Sequence, residues 1–194
     1  GSIGHSTVGG GWRNQATGSA ATVSGGSLNI ASQGSSSIGG GNGHSASGYY
    51  STIGGGEQDT AEGYASTVPG GSQSRAMGDY SFAAGSHAKA LHMGSFVWSG
   101  YNGTDFVSTA INQFSIRASG GVRIYSNISS SAGVTLASGG SSWSAVSDRN
   151  MKENFQTING EKLLKNLGSI PILTWNYNAQ DKSIRHIGPM AQDF

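Results

Sequence analysis

Apolar positions in the first half of the chain recur every fifteen residues, a spacing that fits neither the two-residue repeat of an ordinary strand nor the 3.6-residue repeat of a helix. Val8, Val23, Ile38, Ile53, Val68 and Ala83 make one column. Eight residues further on in each unit a second column holds Ala16, Ala31, Ala46, Ala61 and Ala76. Glycines repeat at Gly10, Gly25, Gly40, Gly55, Gly70 and Gly85, and again at Gly18, Gly48, Gly63 and Gly78, where Gln33 breaks the column and Gly34 follows one place late. A flexible Gly/Ser linker has no reason to keep branched residues and alanines in separate columns, whereas a solenoid must stack like on like. The period is too short for a helical-hairpin repeat. It predicts coils of two short strands and two glycine turns, hydrogen-bonded at about 4.8 Å, so six units rise roughly 29 Å.

From Leu91 the period is lost and short β-favouring runs replace it: 95–98, 113–117, 121–125 and 134–136. Phe114 with Ile116, and Val122 with Ile124, alternate as strands with one buried face do, which in a fibre is the face toward other chains.

The composition makes partner chains necessary. With 33 glycines in 194 residues and 35% hydrophobic residues, the chain lacks the apolar mass for one compact core. Burying a Val or Ile contributes roughly 1.5–3 kcal/mol, while ordering each residue costs about 1–2 kcal/mol of backbone entropy, and each coil orders fifteen. Ladder hydrogen bonds add only modestly. Further burial between identical coils, arranged about a rotation axis, is therefore expected. The number of chains does not follow from this reasoning.

The units 6–20, 51–65 and 66–80 resemble the head repeats of trimeric autotransporter adhesins over roughly residues 3–90, with Gln33 and Pro69 departing from the commonest unit. That resemblance implies a left-handed parallel β-roll packed three around an axis. Residues 96–99 and 112–121 resemble the connector that precedes chaperone domains in bacterial and phage fibres, implying a trimeric β-prism or neck.

Charge density roughly triples at Ser147: residues 1–146 carry five basic and five acidic side chains, residues 147–194 six and five. The run Ser147-Asp148-Arg149-Asn150-Met151-Lys152-Glu153-Asn154-Phe155 resembles the entry to endosialidase-type intramolecular chaperones of phage tail fibres. Leu163-Leu164, Thr174-Trp175-Asn176-Tyr177 and His186-Ile187-Gly188-Pro189-Met190-Ala191-Gln192-Asp193 extend the likeness in the same order. It implies trimerisation, assisted assembly of the preceding fibre, and self-cleavage between Val146 and Ser147 with Ser147 as nucleophile and Lys152 as base. A lysine amine, protonated at neutral pH with a reference pKa of about 10.4, acts as a base only where burial or a nearby cation keeps it neutral. The rival roles are a helix N-cap for Ser147 and a solvated helical residue for Lys152.

Other chemistry is set aside. A net charge of +1 leaves no footprint for nucleic acid or an anionic membrane, and no run is long enough to span a bilayer. Cysteine is absent. Histidines at 5, 44, 87, 92 and 186 fall at different phases of the repeat, so no metal is expected, and neither is any cofactor. The glycine turns lack the Lys-Ser/Thr of a phosphate loop, and only Asp59 and Asp79 lie in the repeat, too few for a calcium roll. A threonine column at Thr7, Thr22, Thr52 and Thr67 is interrupted by Ser37 and Phe82, short of a regular ice-binding array. Tyr49, Tyr50, Tyr64 and Tyr80, with Trp12, lie near turns, where they either stack on sugar rings or pack between chains.

The expectation is thus an all-β chain: a trimeric left-handed β-roll head over 1–90, a β-prism neck over 91–146, and the start of an α+β chaperone domain over 147–194. The function expected is a homotrimeric extracellular cell-surface adhesin that contacts a glycan, protein or matrix ligand. The alternative is a phage or phage-like tail fibre, and in either case no activity in trans is expected.

Overall fold

The computed structural model describes residues 4–101, 103–146 and 152–193. The chain divides into two units, Gly1–Val146 and Ser147–Phe194.

The first unit is a parallel β-solenoid of about seven turns. One sheet stacks Thr7–Val8, Thr22–Val23, Ser37–Ile38, Thr52–Ile53, Thr67–Val68, Phe82–Ser86, Phe96–Ser99 and Phe114–Arg117. The other stacks Gln15–Ala16, Ile30–Ala31, Ser45–Ala46, Thr60–Ala61, Arg75–Ala76, Ala88–Ala90 and Phe106–Val107. A third line consists of single bridges linking Trp12, Ser27, Asn42, Glu57 and Ser72. Pairing is in register at the sequence period: Val8 faces Val23, Val23 faces Ile38, Ile38 faces Ile53, and Ala31 faces Ala46.

The two apolar columns are the core. Val23, Ile38, Ile53 and Val68 project inward from the first sheet, Ala31, Ala46, Ala61 and Ala76 from the second, and all eight are fully buried. Branched residues facing alanines leave a thin interior, and the glycine column keeps the turns equally tight. A Cβ added at Gly63 would stand 2.1 Å from the Gly78 carbonyl oxygen, and one at Gly78 2.2 Å from that of His92. Each coil also turns through left-handed residues that are not glycine, at Ala20, Ser35, Tyr50, Ala65 and Tyr80, with φ of +51° to +59°.

The stack runs on past Ala90, although the fifteen-residue step has already shortened to fourteen where Gly71 pairs with Gly85 and Arg75 with Lys89. Phe82 pairs with Phe96 and Phe96 with Phe114, advances of 14 and 18 residues. Parallel pairing depends on register along the strands, whereas the period depends on turn lengths, so altered turns break one without the other. Val122–Tyr125, Gly133–Leu136 and Ser144–Ala145 then form a three-stranded antiparallel sheet. The face expected to be buried is open in the single chain: Phe114 is 69%, Ile124 56% and Ile116 38% exposed.

The second unit holds a helix, α1 (Gly160–Leu167), capped by the Asn159 side chain, which accepts a hydrogen bond from the Lys162 amide at 3.0 Å. Leu163, Leu164 and Leu167 on it are exposed. Leu173–Trp175 and His186–Gly188 pair antiparallel.

Candidate functional site

Three surfaces are built from the sequence-predicted residues and their neighbours. The first is an aromatic edge. Tyr50 and Tyr80 occupy the left-handed turn column and Tyr64 the position before it, so spacings of 14 and 16 residues bring the rings together in successive coils. Tyr50 meets Tyr64 edge-on at 5.4 Å between centroids, and Tyr64 meets Tyr80 at 5.5 Å. All three are exposed, and the Tyr64 amide donates to Asp79 Oδ1 at 2.8 Å, which ties this edge to the next coil. Tyr49 is not in the row. Its ring covers Gly34, where an added Cβ would lie 3.0 Å from Tyr49 Cε1.

The second surface is foreseen in the sequence only at Phe114, Ile116, Val122 and Ile124; its continuation through Phe82, Phe96 and Trp98 is not. In the outward column of the first sheet Thr7, Thr22, Ser37, Thr52 and Thr67 give way to Phe82, Phe96 and Phe114. The phenylalanine rings stack at 4.7 Å each, with planes 5° and 25° apart. Trp98 and Ile116 stand two residues along their strands from Phe96 and Phe114, on the same outer face. A cleft of about 230 Å³ continues it, lined by Phe114, Ile116, Val122, Ile124, Leu136 and Trp143. The signal was present in the interruption of the threonine column at Phe82, which reads differently once Phe96 and Phe114 are known to follow it in the ladder.

The third surface lies in the C-terminal unit. Trp175 packs edge-on against Tyr177 at 4.8 Å and stacks on His186 at 4.7 Å. His186 Nε2 lies 2.8 Å from Gln180 Oε1, and Arg185 donates to the Thr174 carbonyl and hydroxyl and to Asn176 Oδ1. These are the Thr174–Tyr177 and His186–Asp193 motifs of the sequence, brought together by one antiparallel pair. Residues 147–194 match the family model described as chaperone of endosialidase. No curated protein matches the chain.

Of the expected cleavage pair, Ser147 lies outside the described residues. Lys152 is exposed and takes part in interactions of its own. Among the described residues no helix is long and apolar enough to cross a membrane.

Proposed function

We propose that the chain is part of a homotrimeric fibre of the phage tail-fibre kind, in which the C-terminal chaperone segment brings three chains into register for the β-solenoid to wind. The observation that carries this reading is the chaperone match at 147–194, downstream of a stack whose outer face carries a ladder of phenylalanines, half-buried at Phe82 and Phe96 and exposed at Phe114. An assembly chaperone needs a client that cannot bury its apolar surface alone, and the Phe82–Phe96–Phe114 face with Trp98 and Ile116 is such a surface.

Within this reading the bond between Val146 and Ser147 is cleaved after assembly. Ser147 Oγ attacks the Val146 carbonyl carbon while Lys152, as the base, takes the hydroxyl proton and returns it to the departing Ser147 nitrogen. Water then hydrolyses the resulting ester. The fibre is released from its chaperone, and trimer formation becomes irreversible.

A cell-surface adhesin is the second reading, favoured by the row of exposed tyrosines, whose rings offer apolar faces and hydroxyls to a glycan. Three copies of such a row on one fibre bind through multivalency rather than through any single strong contact.

Analytical ultracentrifugation of the chain joined to the complete C-terminal domain tests the main reading. A species of three chain masses is expected, and a folded monomer at micromolar concentration would refute it.

A further inference from the structure

Inside the solenoid, at the position just before the second-sheet strand, a polar column rises through five coils: Asn14, Asn29, His44, Asp59 and Ser74. From Asn29 onward its members are buried, with His44 1% and Asp59 0% exposed. Each side chain accepts the backbone N–H of its successor. Asn14 Oδ1 accepts from Asn29 at 3.1 Å, Asn29 Oδ1 from His44 at 3.0 Å, His44 Nδ1 from Asp59 at 3.1 Å, and Asp59 Oδ1 from Ser74 at 2.7 Å.

The second polar atom of each side chain also has one place. A Cβ built on Gly11, Gly26, Gly41 or Gly56 would lie 2.7 Å from Asn14 Nδ2, 2.7 Å from Asn29 Nδ2, 2.4 Å from His44 Nε2 and 2.9 Å from Asp59 Oδ2, respectively. The same slot thus receives four different atoms. In the two asparagines it is a donor slot: Asn14 Nδ2 donates to the Gly10 and Gly26 carbonyls at 2.8 Å, and Asn29 Nδ2 to those of Gly25 and Gly41 at 3.0 Å. One and two periods further on, the corresponding carbonyls belong to Gly40 and Gly56, then to Gly55 and Gly71. His44 Nε2 and Asp59 Oδ2 make no hydrogen bond there at standard geometry.

Proton placement follows from the column. A backbone amide can only donate, so His44 Nδ1, facing the Asp59 N–H, carries its lone pair, and the ring proton belongs on Nε2 in the donor slot. By the same pattern Asp59 presents Oδ1 as acceptor, and Oδ2 fills a donor slot only when it carries a proton. We propose that His44 and Asp59 enter the folded stack as an uncharged pair, a neutral imidazole beneath a protonated carboxylic acid, each imitating the asparagine of the coils below. This joint buries no net charge, and in mildly acidic solution folding moves a proton from the imidazole to the carboxyl group. It does so whatever the number of chains in the fibre.

The surroundings agree. His44 faces Asn29 below and Asp59 above, with its Nδ1 3.8 Å from Asp59 Oδ2, beyond a hydrogen bond. Asp59 faces His44 and Ser74, with Glu57 in its own coil and Lys89 two coils on as the nearby charges. Lys89 is itself held by the Gln73 carbonyl and by Asp105 at 3.4 Å. Burial lowers the pKa of His44, and burial raises that of Asp59 to about 6 against the Ser74 hydrogen bond and the Lys89 charge.

The two shifts oppose each other in stability. His44, depressed below 6.5, contributes stability that is complete above that value and lost as the pH falls. Asp59, raised above 3.8, contributes stability that is complete below that value and lost as the pH rises through about 6. Together they bind one proton in both the folded and unfolded chain over much of that interval, so their effects cancel.

Urea unfolding of the full chain and of His44→Asn, Asp59→Asn and the double variant, between pH 4 and pH 7, tests the pair, with the double variant as the baseline for all other groups. For His44→Asn the unfolding constant should rise up to tenfold per pH unit as the pH increases toward about 6. For Asp59→Asn it should rise up to tenfold per unit as the pH falls below about 6.5, and the wild type should track the double variant. Asp59→Asn should also be at least as stable as wild type at pH 7. A hundredfold loss of stability there would mean a buried ion pair and overturn the proposal. Independently of any variant, nitrogen-15 shifts of the His44 ring in the wild type at pH 5.5 should show a neutral imidazole protonated on Nε2. A doubly protonated ring would overturn it.

Discussion

Phe82 and Phe96 lie face to face on the outside of the first sheet, ring centroids 4.7 Å apart and planes within 5°, one on each of two adjacent coils. Stacked rings in a parallel ladder follow directly from in-register pairing, but their position on the outer face leaves them half-covered in a single chain. On the fibre reading, burial of this face belongs to the assembly rather than to the coil. Replacing Phe96 with Ser, which retains the backbone ladder, should shift the association equilibrium toward monomer by at least tenfold, as sedimentation at graded concentrations would show. Ser24→Ala on an early coil is the control, expected to leave the mass distribution unchanged.

The interior responds differently. Ile53 is fully buried between Ile38 and Val68 in its column, and Ile53→Ala should cost about 2–5 kcal/mol of stability through lost burial and a residual cavity. The slope of the denaturation curve should stay close to wild type, since the coil number does not change.

Coil spacing sets a second limit. The Cβ of Gly63→Ala would stand 2.1 Å from the Gly78 carbonyl oxygen, so the two backbones must separate and their ladder bonds lengthen. A loss of about 2 kcal/mol or more is expected, together with faster amide exchange confined to the neighbouring coils. Ala65→Gly should act in the opposite direction. Ala65 sits at φ +51°, where a side chain is strained and glycine is not, and thermal unfolding should show a gain of about 0.5–1 kcal/mol.

For the cleavage reading, the decisive comparison is a denaturing gel of the chain extended through the whole chaperone domain. Two bands are expected from the wild type, and one from Ser147→Ala or Lys152→Met. A single uncut band from all three would remove the protease assignment while leaving trimer formation untouched.

Much of the candidate machinery is legible in the residue order. Thr174–Tyr177 and His186–Asp193 stand out as motifs, and an antiparallel pair does bring Trp175, Tyr177 and His186 together. The tyrosines are legible only as turn residues. Which three form a row depends on offsets of one residue between adjacent coils, and Tyr49 falls out of it by covering Gly34. The histidines look scattered when set against one another rather than against the column each occupies. His44 shares its phase with Asn14, Asn29, Asp59 and Ser74, a kinship visible only when polar residues of different chemistry are counted as alternatives in one slot.

The amino-acid order by itself determined the coil: branched residues and alanines at a fixed interval can all be buried only by stacking, and small interior residues force the thin, glycine-turned winding that results. Tertiary structure decided where that winding ends and which atoms meet. The ladder persists to Arg117 because backbone pairing tolerates turns of unequal length, whereas a search for a fixed period stops at the first change. It also decided the protonation pattern of the His44–Asp59 joint, since only the distances between successive coils reveal which nitrogen and which oxygen face an amide donor.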